Sequence, residues 1–160
     1  MPPGISGGGT FVRALVQRVT HAGVRIDGKE FSSVQKGLVV LLGVRKGDSP
    51  QDAAYLAEKC CSLRVFEDEN QKMNLSLEDI GGSILAVSQF TLYADTRKGN
   101  RPSFMDASPP EESEPLYEKF LECLRARLGG SRVAAGVFRA MMKVELENDG
   151  PVTIMLESKG

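Results

Sequence analysis

Histidine is almost missing from this chain: His21 is the only one in 160 residues. The scarcity removes whole classes of chemistry. A Ser-His-Asp triad would have to use His21 as its base, and His21 falls between two strand-like runs, where a strand-end residue without chemistry is the simpler reading. Cysteine is scarce too. Cys60, Cys61 and Cys123 make an odd count, two of them are adjacent, and there is no C-x-x-C pair. That pattern suits a reducing compartment, by default the cytoplasm. A His/Cys zinc site is not expected, so the metal assignment is none. No apolar stretch approaches the roughly 20 residues that cross a bilayer. Residues 1–10 are rich in Pro, Gly and Ser and lack a secretory hydrophobic segment. Residues 1–11 are expected to be a disordered extension, leaving 12–158 as one domain. Excess charge is also lacking. At a formal net charge of −1, no global field draws the chain to nucleic acid or membrane. Without a Walker A loop or a G-x-G-x-x-G turn, no cofactor is expected.

What is present reads as strands interrupted by two helices. Val12, Ala14, Val16 and, after a slip, Val19 form one expected buried face. Arg18 lies in the same run. If buried it needs acceptors; otherwise it points to solvent. Val24 to Ile26 continues the pattern, and Asp27-Gly28 signals a hairpin. Residues 37–44 are apolar throughout and bounded by glycine, which predicts a strand covered on both faces. Ser49 is an expected N-cap, with Pro50 at the first helical position and Asp52 near the positive end of the dipole. That helix runs to about Ser62, with Ala53, Leu56, Ala57, Cys60 and Cys61 as its apolar stripe. Residues 63–66 form a short strand, 67–70 a solvated acidic turn without calcium-loop spacing, and 83–92 a further strand. A second helix is expected to be capped near Ser113, because Pro115 cannot sit deep in a helix, and to end at Gly129-Gly130. Strands over 133–135, 141–146 and 152–156 follow, the last two joined by Asn148-Asp149-Gly150-Pro151. The class is α+β: a mixed, mostly antiparallel sheet packed on two main helices. Between the last long strand and the second helix, Arg97, Lys98 and Arg101 fall within five residues. This is either a solvated loop or the best phosphate contact of a near-neutral chain.

Several segments together resemble the D-aminoacyl-tRNA deacylase family, known in older naming as D-tyrosyl-tRNA deacylases. They are Arg13-Ala-Leu-Val-Gln-Arg-Val-Thr20, Leu41-Leu-Gly-Val44, Phe66-Glu-Asp-Glu-Asn70 with Lys72-Met-Asn-Leu75, Ser88-Gln-Phe-Thr-Leu92, Asp95-Thr-Arg-Lys-Gly99 with Arg101-Pro-Ser-Phe104, and Asn148-Asp-Gly-Pro-Val-Thr153. The resemblance implies a homodimer in which the sheets of two subunits associate and the active sites lie at the interface. It implies hydrolysis of the ester between a D-amino acid, or glycine, and the terminal adenosine of tRNA. Ser88, Gln89, Phe90 and Thr91 would line the pocket as the catalytic motif. Gly150 and Pro151, flanked by Asn148 and Asp149, would enter it from the partner as a cis dipeptide held by Arg18. Arg97, Lys98 and Arg101 would meet the tRNA. Arg139 departs from the pattern, standing where a small residue is expected.

These residue types suit that chemistry. An aminoacyl ester is already activated, so the difficulty is selectivity: L- and D-esters carry the same groups, and rejection must be geometric. A fixed Gly-Pro segment offers carbonyls to the substrate ammonium and leaves no room for an L side chain. Glycine, with nothing to clash, should be admitted. Thr91 as nucleophile has no base in sight. The preferred alternative is an oxyanion hole from backbone N–H groups near Phe90 and Thr91, with the tRNA 2′-hydroxyl helping to activate water. Two rivals are a non-catalytic dimeric nucleic-acid-binding module and a generic esterase using Ser88.

Overall fold

The computed structural model of the chain describes residues 12–158; the extension expected over 1–11 lies outside them. The first strand, β1 (Arg13–Ile26), runs unbroken through His21, where two strands were expected. It is held along both edges. One edge pairs with β2 (Lys29–Val34) and β3 (Gly37–Gly43), the other with β8 (Lys143–Glu157), all antiparallel. The register against β8 shifts between Gln17 and His21. Val12, Ala14 and Val16 pack into the main core, whereas Val19, Ala22 and Val24 pack into a second cluster. Val19 therefore does not share the face expected for it: successive side chains alternate across a strand, and the irregular register re-aims those that follow.

Two-sided burial of β3 holds. Leu38, Val40 and Leu42 enter the main core and Val39 the second cluster. β3 pairs in parallel with β6 (Ser83–Ser88), which pairs in parallel with β7 (Val133–Ala135). The approach of β3 to β6 demands glycine at its start, since a Cβ on Gly37 would lie 1.7 Å from the Ser83 carbonyl oxygen. Near the other end, the Ser32 hydroxyl of β2 donates to the Ala135 carbonyl at 2.8 Å. The sheet thus curls over its second cluster.

The main core lies between the sheet and two helices that pack on each other, α1 (Pro50–Ser62) and α3 (Pro110–Leu128). Ser49 caps α1 as expected: its backbone N–H donates to the Asp52 carboxylate at 2.9 Å and its hydroxyl at 3.0 Å. The start of α3 differs from expectation. The helix begins at Pro110, not near Ser113, because a proline at the first helical position loses no hydrogen bond. Pro115 sits inside and leaves the Glu111 carbonyl without its helical donor, but Glu111 is exposed and water can serve it. Two small elements were not foreseen, β5 (Met73–Leu75), which pairs with β4 (Phe66–Glu67), and α2 (Leu77–Ile80). A Ser76/Asp79 capping box opens α2, with Asp79 N–H donating to Ser76 Oγ at 3.1 Å. The last two expected strands are one: β8 continues through Asn148-Asp149-Gly150-Pro151.

Candidate functional site

β6 stops at Ser88, four residues before its expected end. The Gln89 N–H still donates to the Leu42 carbonyl at 2.7 Å, and the chain then winds into a 3₁₀ turn, Phe90–Tyr93. The floor of the turn is Gly43 of β3, where a Cβ would come within 3.0 Å of Leu92 Cβ and 3.2 Å of the Gln89 carbonyl oxygen. Within the turn Leu92 N–H reaches back to Gln89 O at 3.4 Å and Ala94 N–H to Thr91 O at 3.1 Å. The N–H groups of Phe90 and Thr91 have no partner among the described residues, as the first donors of any helical turn find none inside it. The Thr91 hydroxyl accepts from the Gln89 side-chain amide.

Ser88, Gln89 and Phe90 line a cavity of about 740 Å³; Thr91 lies on the exposed side of the turn and does not. The opposing wall is the segment 138–142, which joins β7 to β8, and Phe104 closes one side against Phe90, edge to face at 4.9 Å. Behind that wall the buried Tyr117 hydroxyl donates to the Ala86 carbonyl at 2.7 Å, with its ring 6.1 Å from Phe138. Phe138 and Met142 were not assigned to the site from the sequence; Arg139, whose departure from the family pattern pointed to the pocket rim or the dimer edge, lines the cavity. The available signal was the apolar spelling of 137–142 just before a motif strand.

Arg18 is 7% exposed, which overturns the solvent-facing option. Its Nε donates to the Asp149 carbonyl at 2.8 Å and its Nη1 to the Val65 carbonyl at 2.7 Å. The Asp149 carboxylate lies 3.8 Å from Nε. Asn148 ties the other side of the same bend: its amide donates to Val152 O at 3.2 Å and Thr153 Oγ1 at 3.1 Å, and its oxygen accepts from Val152 N–H at 2.7 Å. Gly150 has φ +143, and a Cβ there would lie 2.8 Å from Val152 Cγ2. The Gly150-Pro151 peptide is cis. Asp149, Gly150 and Pro151 are exposed and are not among the residues lining the cavity of their own chain. Within one chain, then, Arg18, Asn148 and Asp149 are brought together around Gly150-Pro151, and Ser88 to Thr91 are not brought to them.

The basic loop is partly spent. Arg97 grips Asp95 through Nε at 2.9 Å and Nη2 at 2.8 Å, which holds the Asp95 carboxyl well below the usual carboxylate range. Lys98 and Arg101 are exposed, and the Lys98 charge adds to the lowering of Asp95. His21 is exposed on β1, its Nδ1 4.0 Å from a Glu147 carboxylate oxygen, and does not line the cavity. In the loop before α1, half-buried Asp48 is pushed up to about 6 by burial. One of its oxygens accepts from Arg45 N–H and the other has no hydrogen-bond partner. Burial likewise raises the Cys60 thiol. Among the described residues no cluster of His, Cys, Asp and Glu is arranged to hold a metal. No helix among them is long and apolar enough to cross a membrane.

A family model described as D-Tyr-tRNA(Tyr) deacylase matches residues 15–157. The chain belongs to this family. Two D-aminoacyl-tRNA deacylases are similar to it over 148 residues, 92% of this chain and 98% of each relative: that of Koribacter versatilis at 57% identity and that of Fervidobacterium nodosum at 55%. The solved structure of a c-Myc DNA unwinding element binding protein is similar with a TM-score of 0.88 at 44% identity, covering 92% of this chain and 99% of that one. A probable eukaryotic D-amino acid tRNA deacylase shares the fold, with a TM-score of 0.80 at 18% identity over the same share of this chain. The family resemblance read from the six motifs holds, and this deacylase family member carries each of them on the elements just described.

Proposed function

We propose that this family member hydrolyses D-aminoacyl-tRNA, and glycyl-tRNA, to free amino acid and tRNA, within a cytoplasmic homodimer whose catalytic domain is 12–158. The observation that carries the reading is the pair of adjacent N–H groups of Phe90 and Thr91, without partners among the described residues, on the turn beside the cavity. As water attacks the ester carbonyl, its oxygen gains negative charge. Two fixed donors stabilise that charge more than they stabilise the ground state. No histidine takes part, so the 2′-hydroxyl of the terminal ribose relays the proton of the attacking water to the 3′-oxygen, which leaves as a hydroxyl when its bond to the acyl carbon breaks.

Selectivity comes from the partner subunit. The exposed Gly150-Pro151 bend, fastened from behind by Arg18 and Asn148, enters the neighbouring cavity opposite Ser88 and Gln89. Its carbonyls accept from the substrate ammonium, and its backbone fills the space an L side chain would need. Lys98 and Arg101, with Arg97 through its Asp95 pair, face the tRNA phosphates.

The test is loss of ester from D-Tyr-tRNA, Gly-tRNA and L-Tyr-tRNA. D-Tyr-tRNA should be cleaved at least on the order of hundredfold faster than the L form, with Gly-tRNA also cleaved. A D-substrate ending in 2′-deoxyadenosine should be cleaved much more slowly. Equal D and L rates would sink the selectivity, and equal ribose and deoxyribose rates the role of the 2′-hydroxyl. A second reading, a nucleic-acid-binding module, is favoured by the name of the 44%-identical relative. It predicts tRNA or DNA binding without ester loss.

A further inference from the structure

Among the residues that line the cavity, one carries a formal charge at neutral pH: Arg139. Every other lining residue is apolar or a neutral polar such as Ser88 and Gln89. Arg139 is exposed and makes no ion pair or hydrogen bond among the described residues. It also holds φ at +68, a left-handed conformation that glycine adopts freely and a long side chain does not. An unpaired cation in an unfavoured backbone conformation, at the rim of an otherwise uncharged cavity, calls for a ligand that supplies the missing anion.

We infer that Arg139 binds a phosphodiester of the substrate's single-stranded acceptor end at the cavity mouth; this rests on the deacylase reading above. The substrate offers two charged ends. The aminoacyl end is an ammonium, which a guanidinium repels. The nucleotide end is a chain of phosphates, whose oxygens match the planar fork of an arginine. Arg139 therefore faces the nucleotide side, and sets how the terminal adenosine is delivered to Phe90 and Phe104.

The variant Arg139→Gly removes the charge while suiting the backbone, so its melting temperature should not fall. KM for D-Tyr-tRNA should rise about tenfold, with kcat changed far less, and the slope of log affinity against log salt should shrink by about 0.7, the weight of one single-strand phosphate contact. The loss should be far smaller on 3′-D-tyrosyl-adenosine, which has no phosphate, and Arg139→Lys should recover part of it. An unchanged KM for the tRNA substrate overturns the inference. So does an equal loss on the adenosine ester. A loss confined to D-Asp-tRNA overturns it too, because the guanidinium then reads an acidic side chain. If the parent protein cleaves no D-ester, the deacylase reading fails by itself, and affinity for uncharged tRNA decides this one. There, about tenfold weaker binding by Arg139→Gly supports the inference, and unchanged binding overturns it.

Discussion

The turn after β6 and the bend in β8 carry the two motifs assigned to the pocket and are built in opposite ways. The bend is closed upon itself. Arg18 and Asn148 together occupy the carbonyls of Asp149 and Val152 and the N–H of Val152. The turn is left open. Gly43 lets it sit close against β3, and the N–H groups of Phe90 and Thr91 have no partner among the described residues. Phe90 and Thr91 are exposed, so water serves these donors in the free protein, and a ligand that displaces it can supply the acceptor. A surface that spends its groups on itself is one where shape must be held. In the proposed enzyme the open region would bind the charge that develops during reaction, and the closed one would exclude the wrong substrate.

The largest expected effect comes from opening the closed region. Arg18→Ala strands the Asp149 and Val65 carbonyls and empties the space of a guanidinium that is 7% exposed. Hydrogen bonds to charged groups contribute about 1.5–3 kcal/mol each, so a loss of about 3 kcal/mol in denaturant unfolding is expected. D-Tyr-tRNA deacylation should fall on the order of hundredfold at temperatures where the variant is still folded. Arg18→Lys should recover only part, since one ammonium cannot reproduce the fork. A variant that unfolds with the parent and keeps its activity would mean the bend holds its shape without the arginine, and the contrast between the two regions would collapse.

A smaller effect tests a charge that acts on the open region through Tyr93. Asp48 titrates at about 6 against an ordinary 3.8, chiefly because it is half-buried, with Asp52 adding repulsion. The shift is upward, so its contribution to stability is fully present below pH about 4 and is lost as pH rises through about 6. The ionised form of Asp48 is thus the disfavoured one at neutral pH. It also acts on Tyr93, the last residue of the turn, whose phenol is raised first by its own burial and then by this carboxylate. Asp48→Asn should stabilise the protein at pH 8 by about 1 kcal/mol, after discounting for solvent screening. It should be nearly neutral at pH 4. Denaturation midpoints at the two pH values check this; a variant less stable than the parent at pH 8 would contradict it.

Much of the scaffold was legible, because local pattern decides it. Unbroken apolar spelling marked β3 as buried on both faces, and Ser49, Pro50 and Asp52 marked the start of α1. The two regions of the site were less legible, for a physical reason. Nothing between Val87 and Leu92 breaks strand propensity; the strand ends there because Gly43 of another strand admits a tight turn. Arg18 is buried because its acceptors arrive from 131 and 47 residues away in sequence, a distance no periodicity reports. The cis Gly150-Pro151 peptide was expected from family resemblance alone, since the residues by themselves spell an ordinary turn. Val19 was misplaced because a register shift is set by the partner strand.

The smallest expected effect is also the sharpest on the chemistry of the open region. Thr91 stands next to the free donors, and its hydroxyl is the obvious nucleophile by position. Its contacts argue otherwise. The hydroxyl accepts from Gln89, it is exposed, and it does not line the cavity. Among the described residues no histidine or carboxylate hydrogen-bonds to it, so nothing is placed to take its proton. Thr91→Ala keeps both backbone donors and removes one neutral hydrogen bond. Single-turnover deacylation of D-Tyr-tRNA should therefore slow by less than about tenfold, the weight of such a bond. A drop on the order of a thousandfold or more, with melting temperature and tRNA affinity unchanged, would show that the turn acts through its hydroxyl. The free N–H groups would then be a by-product of the 3₁₀ geometry and not the reason for it.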